Sequence, residues 1–112
     1  MRDWNQINIK PLSVNQAFKG RRYKTNEYKK YEIDVSMMIK KEKVPDGELF
    51  IKYKFGLSNK GQDIDNCIKQ FQDILSKKLG FNDNRIYRIE AEKEIVKKGK
   101  EFIKYKIYEK TH

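Results

Sequence analysis

The stretch ELFIKYKFGLSNKGQDIDNCIKQFQDILSKKLG, residues 48–80, changes its apolar period halfway along, and the reading of the fold turns on that change. Its first part alternates. Leu49, Ile51, Tyr53, Phe55 and Leu57 share one side, and Lys52 and Lys54 lie on the other. A period of two describes a strand with one buried face. From about Asp65 to Lys78 the period becomes helical, and Ile68, Phe71, Ile74, Leu75 and Leu79 fall on one stripe. Gly80 ends that helix. Between strand and helix lies a loop with two aspartates one residue apart, Asp63 and Asp65.

Upstream, INIKPLSVN (7–15) starts as a short strand with Ile7 and Ile9 on one face and stops at Pro11, which cannot donate to a ladder. A basic loop around Gly20 follows. Thr25 or Asn26 then caps a helix whose one face carries Tyr28, Tyr31, Val35 and Met38. VPDGE (44–48) is a turn by composition. Downstream, FNDNR (81–85) is a short loop, and IYRIEAEKEIVKKGKEFIKYKIYEK (86–110) reads as a hairpin of two strands with Gly99 at the bend. The order is β-α-β-α-β-β. It predicts an α+β fold, a small mixed sheet with helices packed on it. No repeat, low-complexity tract or linker interrupts the chain, so residues 1–112 are expected to form a single domain.

Composition excludes several functions. Cys67 is the sole cysteine, so no intrachain disulfide forms, and a reducing cytoplasm is the expected setting. His112 is the sole histidine, which argues against a histidine-ligated zinc site or a Ser-His-Asp triad. The start, MRDWNQINIK, lacks the apolar core of a signal peptide, and no run of apolar residues is long enough to span a membrane. Lysine and arginine number 26 against 16 acids, a net charge of +10. Such a surface attracts polyanions, nucleic acid above all. A solvated lysine coat accounts for part of that excess by itself.

Acid concentrated in so basic a chain calls for a reason. Asp65 stands where an N-cap would, a role worth about 1 kcal/mol. Asp63 has no such role, and two neighbouring carboxylates repel unless a cation lies between them. Mg²⁺ is usually held by one or two carboxylates together with phosphate oxygens. Asp65, Asn66, Lys69 and Asp73 fall on one side of the helix, opposite the apolar stripe. Lys69 is either an i,i+4 partner of Asp65 or a cation aimed at the same phosphate. Asp83 follows in a tight turn, where Asn82, Asp83 and Asn84 all suit turn chemistry.

Taken together, PLSVN, the basic KGRRYKT, DIDNCIKQFQD and GFNDNRI resemble the RusA family of Holliday-junction resolvases, largely phage and prophage enzymes. The positions that carry the likeness are Pro11, Ser13, Asn15, Asp63, Asp65, Asn66, Lys69, Asp73, Gly80 and Asp83, between about residues 7 and 95. The resemblance implies a homodimer that binds four-way DNA junctions and nicks two opposed strands with Mg²⁺ or Mn²⁺. It implies catalytic roles for Asp63, Asp65, Lys69 and Asp83, with the three aspartates as metal ligands. The family's turn often reads Asp-Asp, so Asn82 is a departure that removes one charge near the metal. The basic loop supplies the expected DNA contacts, Lys19, Arg21, Arg22 and Lys24, with Asn15 and Asn66 beside them. Phe18, Tyr23, Tyr28 and Tyr31 either stack on bases or pack in the core. The helix with Met37, Met38 and Ile39 is one candidate for the dimer surface, and the helix of 65–78 and a sheet edge are others. Two further readings keep the same residues, a non-catalytic DNA-binding module and a nuclease for other branched DNA such as flaps or forks.

Overall fold

The computed structural model describes residues 4–19 and 23–109, and the side chains of Asn15, Phe18 and Lys19 fall outside that description. Strand β1 (Asn5–Ile7) leads to a one-turn helix α1 (Val14–Ala17). A two-stranded ribbon, β2 (Phe18–Lys19) and β3 (Tyr23–Lys24), brackets the basic loop. Helix α2 (Asn26–Met38), strand β4 (Leu49–Leu57), helix α3 (Asp65–Leu79), a 3₁₀ turn (Asp83–Arg85), strand β5 (Ile86–Ile95) and strand β6 (Phe102–Glu109) complete the chain. The α+β class and the order of the main elements are as the sequence predicts. The ribbon and α1 are additions within segments expected to be loop.

The main sheet runs β1-β6-β4-β5. This corrects the expected hairpin: β5 and β6 are not neighbours, because β4 lies between them. β4 pairs in parallel with β5 and antiparallel with β6. Parallel neighbours need a long crossover, and α3 supplies it. The choice follows burial. Alternate residues of β4 and β6, Leu49, Ile51, Tyr53, Phe55 and Leu57 with Ile103, Tyr105 and Ile107, are all buried. β5 has five charged residues among its ten, which suits an edge. The link 96–101 steps across the end of β4, where the Val96 amide donates to the Leu57 carbonyl at 2.8 Å. Glu101 fastens the step by accepting from the Ser58 hydroxyl and the Gly99 amide. Its own amide first, and then those donors, hold its carboxyl below the usual range. Gly56 leaves room for the Phe102 ring to lie directly on the strand, where any Cβ would collide with it.

The core lies on one face of the sheet. The Tyr53 ring meets Phe71 of α3 edge-on at 6.0 Å, and its hydroxyl donates to Gln72 at 2.8 Å. Thr25 caps α2 by accepting from the Tyr28 amide. Tyr28, Tyr31 and Val35 are buried as their spacing predicts. Met38 is not. It is 46 % exposed, and Ile39 takes the expected place. The helix stops at Met38, and the extended backbone of Ile39 turns its side chain into the core.

Candidate active site

The site is built on the loop that precedes α3 and on that helix's polar face. The loop is closely tied. The Asn59 side chain accepts from the Gly61 amide, and the Gln62 amide donates to the Asn59 carbonyl. From β5, Lys93 donates to the carbonyls of Lys60 and Gln62 at 3.1 and 3.0 Å. These bonds fix the backbone one residue before Asp63. The Gln62 amide group also reaches the Cys67 sulfur at 3.3 Å. Cys67 is a buried packing residue, and burial pushes its thiol up to about 11.

Asp65 is the first residue of α3 and does not cap it. Ile64 occupies the cap with helical backbone angles and no side-chain hydrogen bond. The Cys67 amide already bonds the Ile64 carbonyl, so the first turn closes without a carboxylate. Among the described residues, neither Asp63 nor Asp65 has a salt bridge, and both are exposed. Beside them lies an open pocket of about 320 Å³ lined by Lys10, Ser13, Gln16, Asn59, Asp63 and Asn66.

The PLSVN segment reaches this pocket through a residue that periodicity passed over. Gln70 is buried, and its side-chain amide donates to the carbonyls of Leu12 at 3.0 Å and Asn66 at 2.6 Å. It thus fastens the N-terminal motif to α3, and Ser13 and Gln16 stand next to Asp63. A buried polar group needs such partners. A glutamine beside the apolar stripe was the available signal.

One turn further along, the chemistry differs. Lys69 bonds Asp73 at 3.0 Å and approaches Asp83 at 3.6 Å. Its partner is therefore one turn ahead, and not Asp65, one of the two alternatives, one turn behind. The hydrogen bond to Asp73 is the main cause that raises the lysine's pKa, with Asp83 adding to it. Asn82 positions Asp83 by accepting from the Asn84 amide at the head of the 3₁₀ turn. Arg85 holds the turn to the 44–48 segment through the carbonyls of Pro45 and Gly47. Asp73, Asp83, Lys24, Tyr28 and Glu32 line a second open pocket of about 330 Å³.

The structure thus brings Asp63 and Asp65 to one end of the helix face and Asp83 to Lys69. Among the described residues, no three acidic, histidine or cysteine side chains gather closely enough to hold a metal ion. The donor chemistry still fits a hard divalent cation, since two carboxylates with substrate oxygens are a usual Mg²⁺ set. Of the expected DNA contacts, Lys24 pairs with Glu32 at 2.9 Å and lies over the Tyr28 ring, and Asn66 lines the first pocket. Arg21 and Arg22 lie outside the described residues, as do the side chains of Asn15 and Lys19. Tyr28 and Tyr31 are core residues, and Tyr23 is exposed.

A family model for the endodeoxyribonuclease RusA matches residues 9–106. The chain belongs to the RusA family. The matched span takes in both halves of the polar face, the PLSVN segment, β4, β5 and most of β6. RusA membership implies an endodeoxyribonuclease, which agrees with the strongly basic surface and the exposed carboxylates. A search of curated proteins found no match. No helix among the described residues is long and apolar enough to cross a membrane.

Proposed function

We propose that this chain is a divalent-metal-dependent endonuclease that resolves four-way DNA junctions as a homodimer, by paired nicks in opposed strands. The observation that carries this reading is the unpaired Asp63–Asp65 couple beside a polar pocket, with Lys69 on the same helix face, in a chain of the RusA family. Bound there, Mg²⁺ or Mn²⁺ would polarise the scissile phosphate and lower the pKa of a water that attacks it.

The chain's own residues do the rest. Asp63 and Asp65 hold the cation and, through it, the phosphate. Lys69 offers an ammonium to the charge that develops on the phosphate oxygens. Asp83 keeps that ammonium oriented, and it joins the other two acids only if its carboxylate leaves Lys69. Lys10, Ser13 and Asn66 line the pocket where the neighbouring nucleotides would lie. The basic loop between β2 and β3 is assigned to the DNA arms. Two subunits present two such sites to a junction that has approximate two-fold symmetry.

The test is incubation of a synthetic four-way junction, a fork and a linear duplex with and without Mg²⁺. Junction cleavage into two nicked duplexes, only with metal, is the expected result. Preferential cleavage of forks would assign the enzyme to other branched DNA. Binding without cleavage of any substrate would leave a DNA-binding module. Equilibrium sedimentation should give a mass near twice 13.5 kDa, and a monomer on the junction would rule out paired cuts.

A further inference from the structure

The helices cover one face of the main sheet, and the other face has its own composition. The pleat places Phe50, Lys52, Lys54, Lys104, Lys106 and Tyr108 on it, with Arg88 and three glutamates at the β5 edge, and Trp4 lies against Lys106 there. The register sets Lys52 directly opposite Lys106 and Lys54 opposite Lys104. Like charges opposite one another across a ladder destabilise a sheet. On the β4 side the cost is offset, because Lys52 meets Glu90 at 3.5 Å, and Lys54 meets Glu92 and Glu94 at 3.8 Å. On the β6 side it is not. Among the described residues, Lys104 and Lys106 have no carboxylate within 4 Å. They rest instead on aromatic rings, Lys104 over Phe102 at 5.2 Å and Lys106 over Trp4 at 4.7 Å. A ring fixes an ammonium in place and leaves its charge uncancelled.

We infer that this open face of the sheet, around Lys104, Lys106 and Trp4, is a second DNA-contact surface that takes the phosphate backbone of a duplex arm. The inference rests on the nucleic-acid reading above and adds a surface on the side of the sheet away from α3. Charge complementarity selects the occupant. A second copy of the chain laid on this face would have to bury the charges of Lys104 and Lys106 as water was excluded. A phosphate backbone presents the opposite charge over the same area. Aliphatic stems shielding the sheet would explain long side chains there. They would not explain two lysines without a carboxylate partner set opposite two more lysines.

The experiment measures binding of an unbranched duplex in EDTA across a salt series, so that cleavage plays no part. The variant is Lys104→Gln with Lys106→Gln. The control, Lys40→Gln with Lys41→Gln, removes the same charge from exposed residues outside the strands of the sheet. Each lost phosphate contact should flatten the slope of log K against log salt by about 0.9, so the sheet variant should lose about twice that and the control almost nothing. Arginine at both sheet positions should restore the slope. Equal slopes in the two glutamine variants would overturn the inference, as would a change of sedimenting mass in the sheet variant with its slope intact, which would give the face to a second subunit. Because no cleavage is read, failure of the catalytic reading would leave this result standing, and the reverse also holds.

Discussion

The polar face of α3 has two halves built from the same residue types. At its head, Asp63 and Asp65 are exposed and without a cation among the described residues. One turn on, Asp73 and Asp83 close around Lys69. The second half is partly satisfied by itself, since one ammonium is shared by two carboxylates and cancels the charge of one. The first is open to water and, on the proposed reading, to a metal ion. Paired charge holds geometry, whereas unpaired charge of one sign makes a place for a ligand. On the proposed reading, binding and stability separate along about two turns of one helix.

The largest effect expected from breaking this contrast is at the head. Asp63→Asn and Asp65→Asn should each lower metal-dependent cleavage by at least about a hundredfold, the scale of losing a group made for the transition state. Junction affinity without metal should hold or rise, because a charge facing phosphate is gone. Asp65 makes no cap bond, so thermal unfolding of Asp65→Asn should stay within about 0.5 kcal/mol of the parent. Near-normal cleavage in either variant would remove the metal assignment.

Lys69→Met tests the join between the halves. Cleavage of bound junction should fall by about a hundredfold, with affinity nearly unchanged. Weaker binding alone, with the bound rate intact, would reduce Lys69 to a phosphate contact. Asp83→Asn should show a part of the same loss, since it orients that ammonium.

Lys93→Met should act more mildly and from a distance. It removes the two bonds by which β5 holds the loop before Asp63. A loss of roughly tenfold follows if the carboxylates are misplaced by a fraction of an ångström. The diagnostic readout is the Mg²⁺ concentration at half-maximal rate, which should rise. An unshifted midpoint would make Lys93 a structural residue only. Lys93→Arg should recover part of the effect.

The smallest effect belongs to Asp73→Asn. An exposed i,i+4 pair is worth about 0.3–0.5 kcal/mol, so stability should barely change. Yet Asp73 is the leading cause that raises the Lys69 pKa. The ammonium is the form favoured in the fold, so its contribution is full in the neutral range and fades as pH climbs through the raised pKa. Without Asp73 that fading should begin at lower pH, which a rate profile on the alkaline side can read.

Much of this was legible in the chain. The alternation of Leu49 to Leu57 and the stripe of Ile68 to Leu79 named β4 and α3 because burial imposes a period on any element with one covered face. Tyr28, Tyr31 and Val35 did the same for α2. The acids and Lys69 stood out because they break that pattern in the order the RusA family shows. The partner of β5 was not legible. Acidic β5 matches the lysines of β6 as well as those of β4, and local charge cannot choose between them. The choice fell to the sheet as a whole, which buries its most apolar strands at the centre and leaves the most charged at the edge. Nor could spacing show that Lys69 turns forward to Asp73. Nor could it show that Asp83 approaches the same ammonium, brought beside it by a 3₁₀ turn fastened to the 44–48 segment. Periods and residue types are local and survive in a string of letters. Which strand lies beside which, and which of two acids a lysine takes, are settled by competition among groups far apart in the chain, and that exists only once the chain has closed on itself.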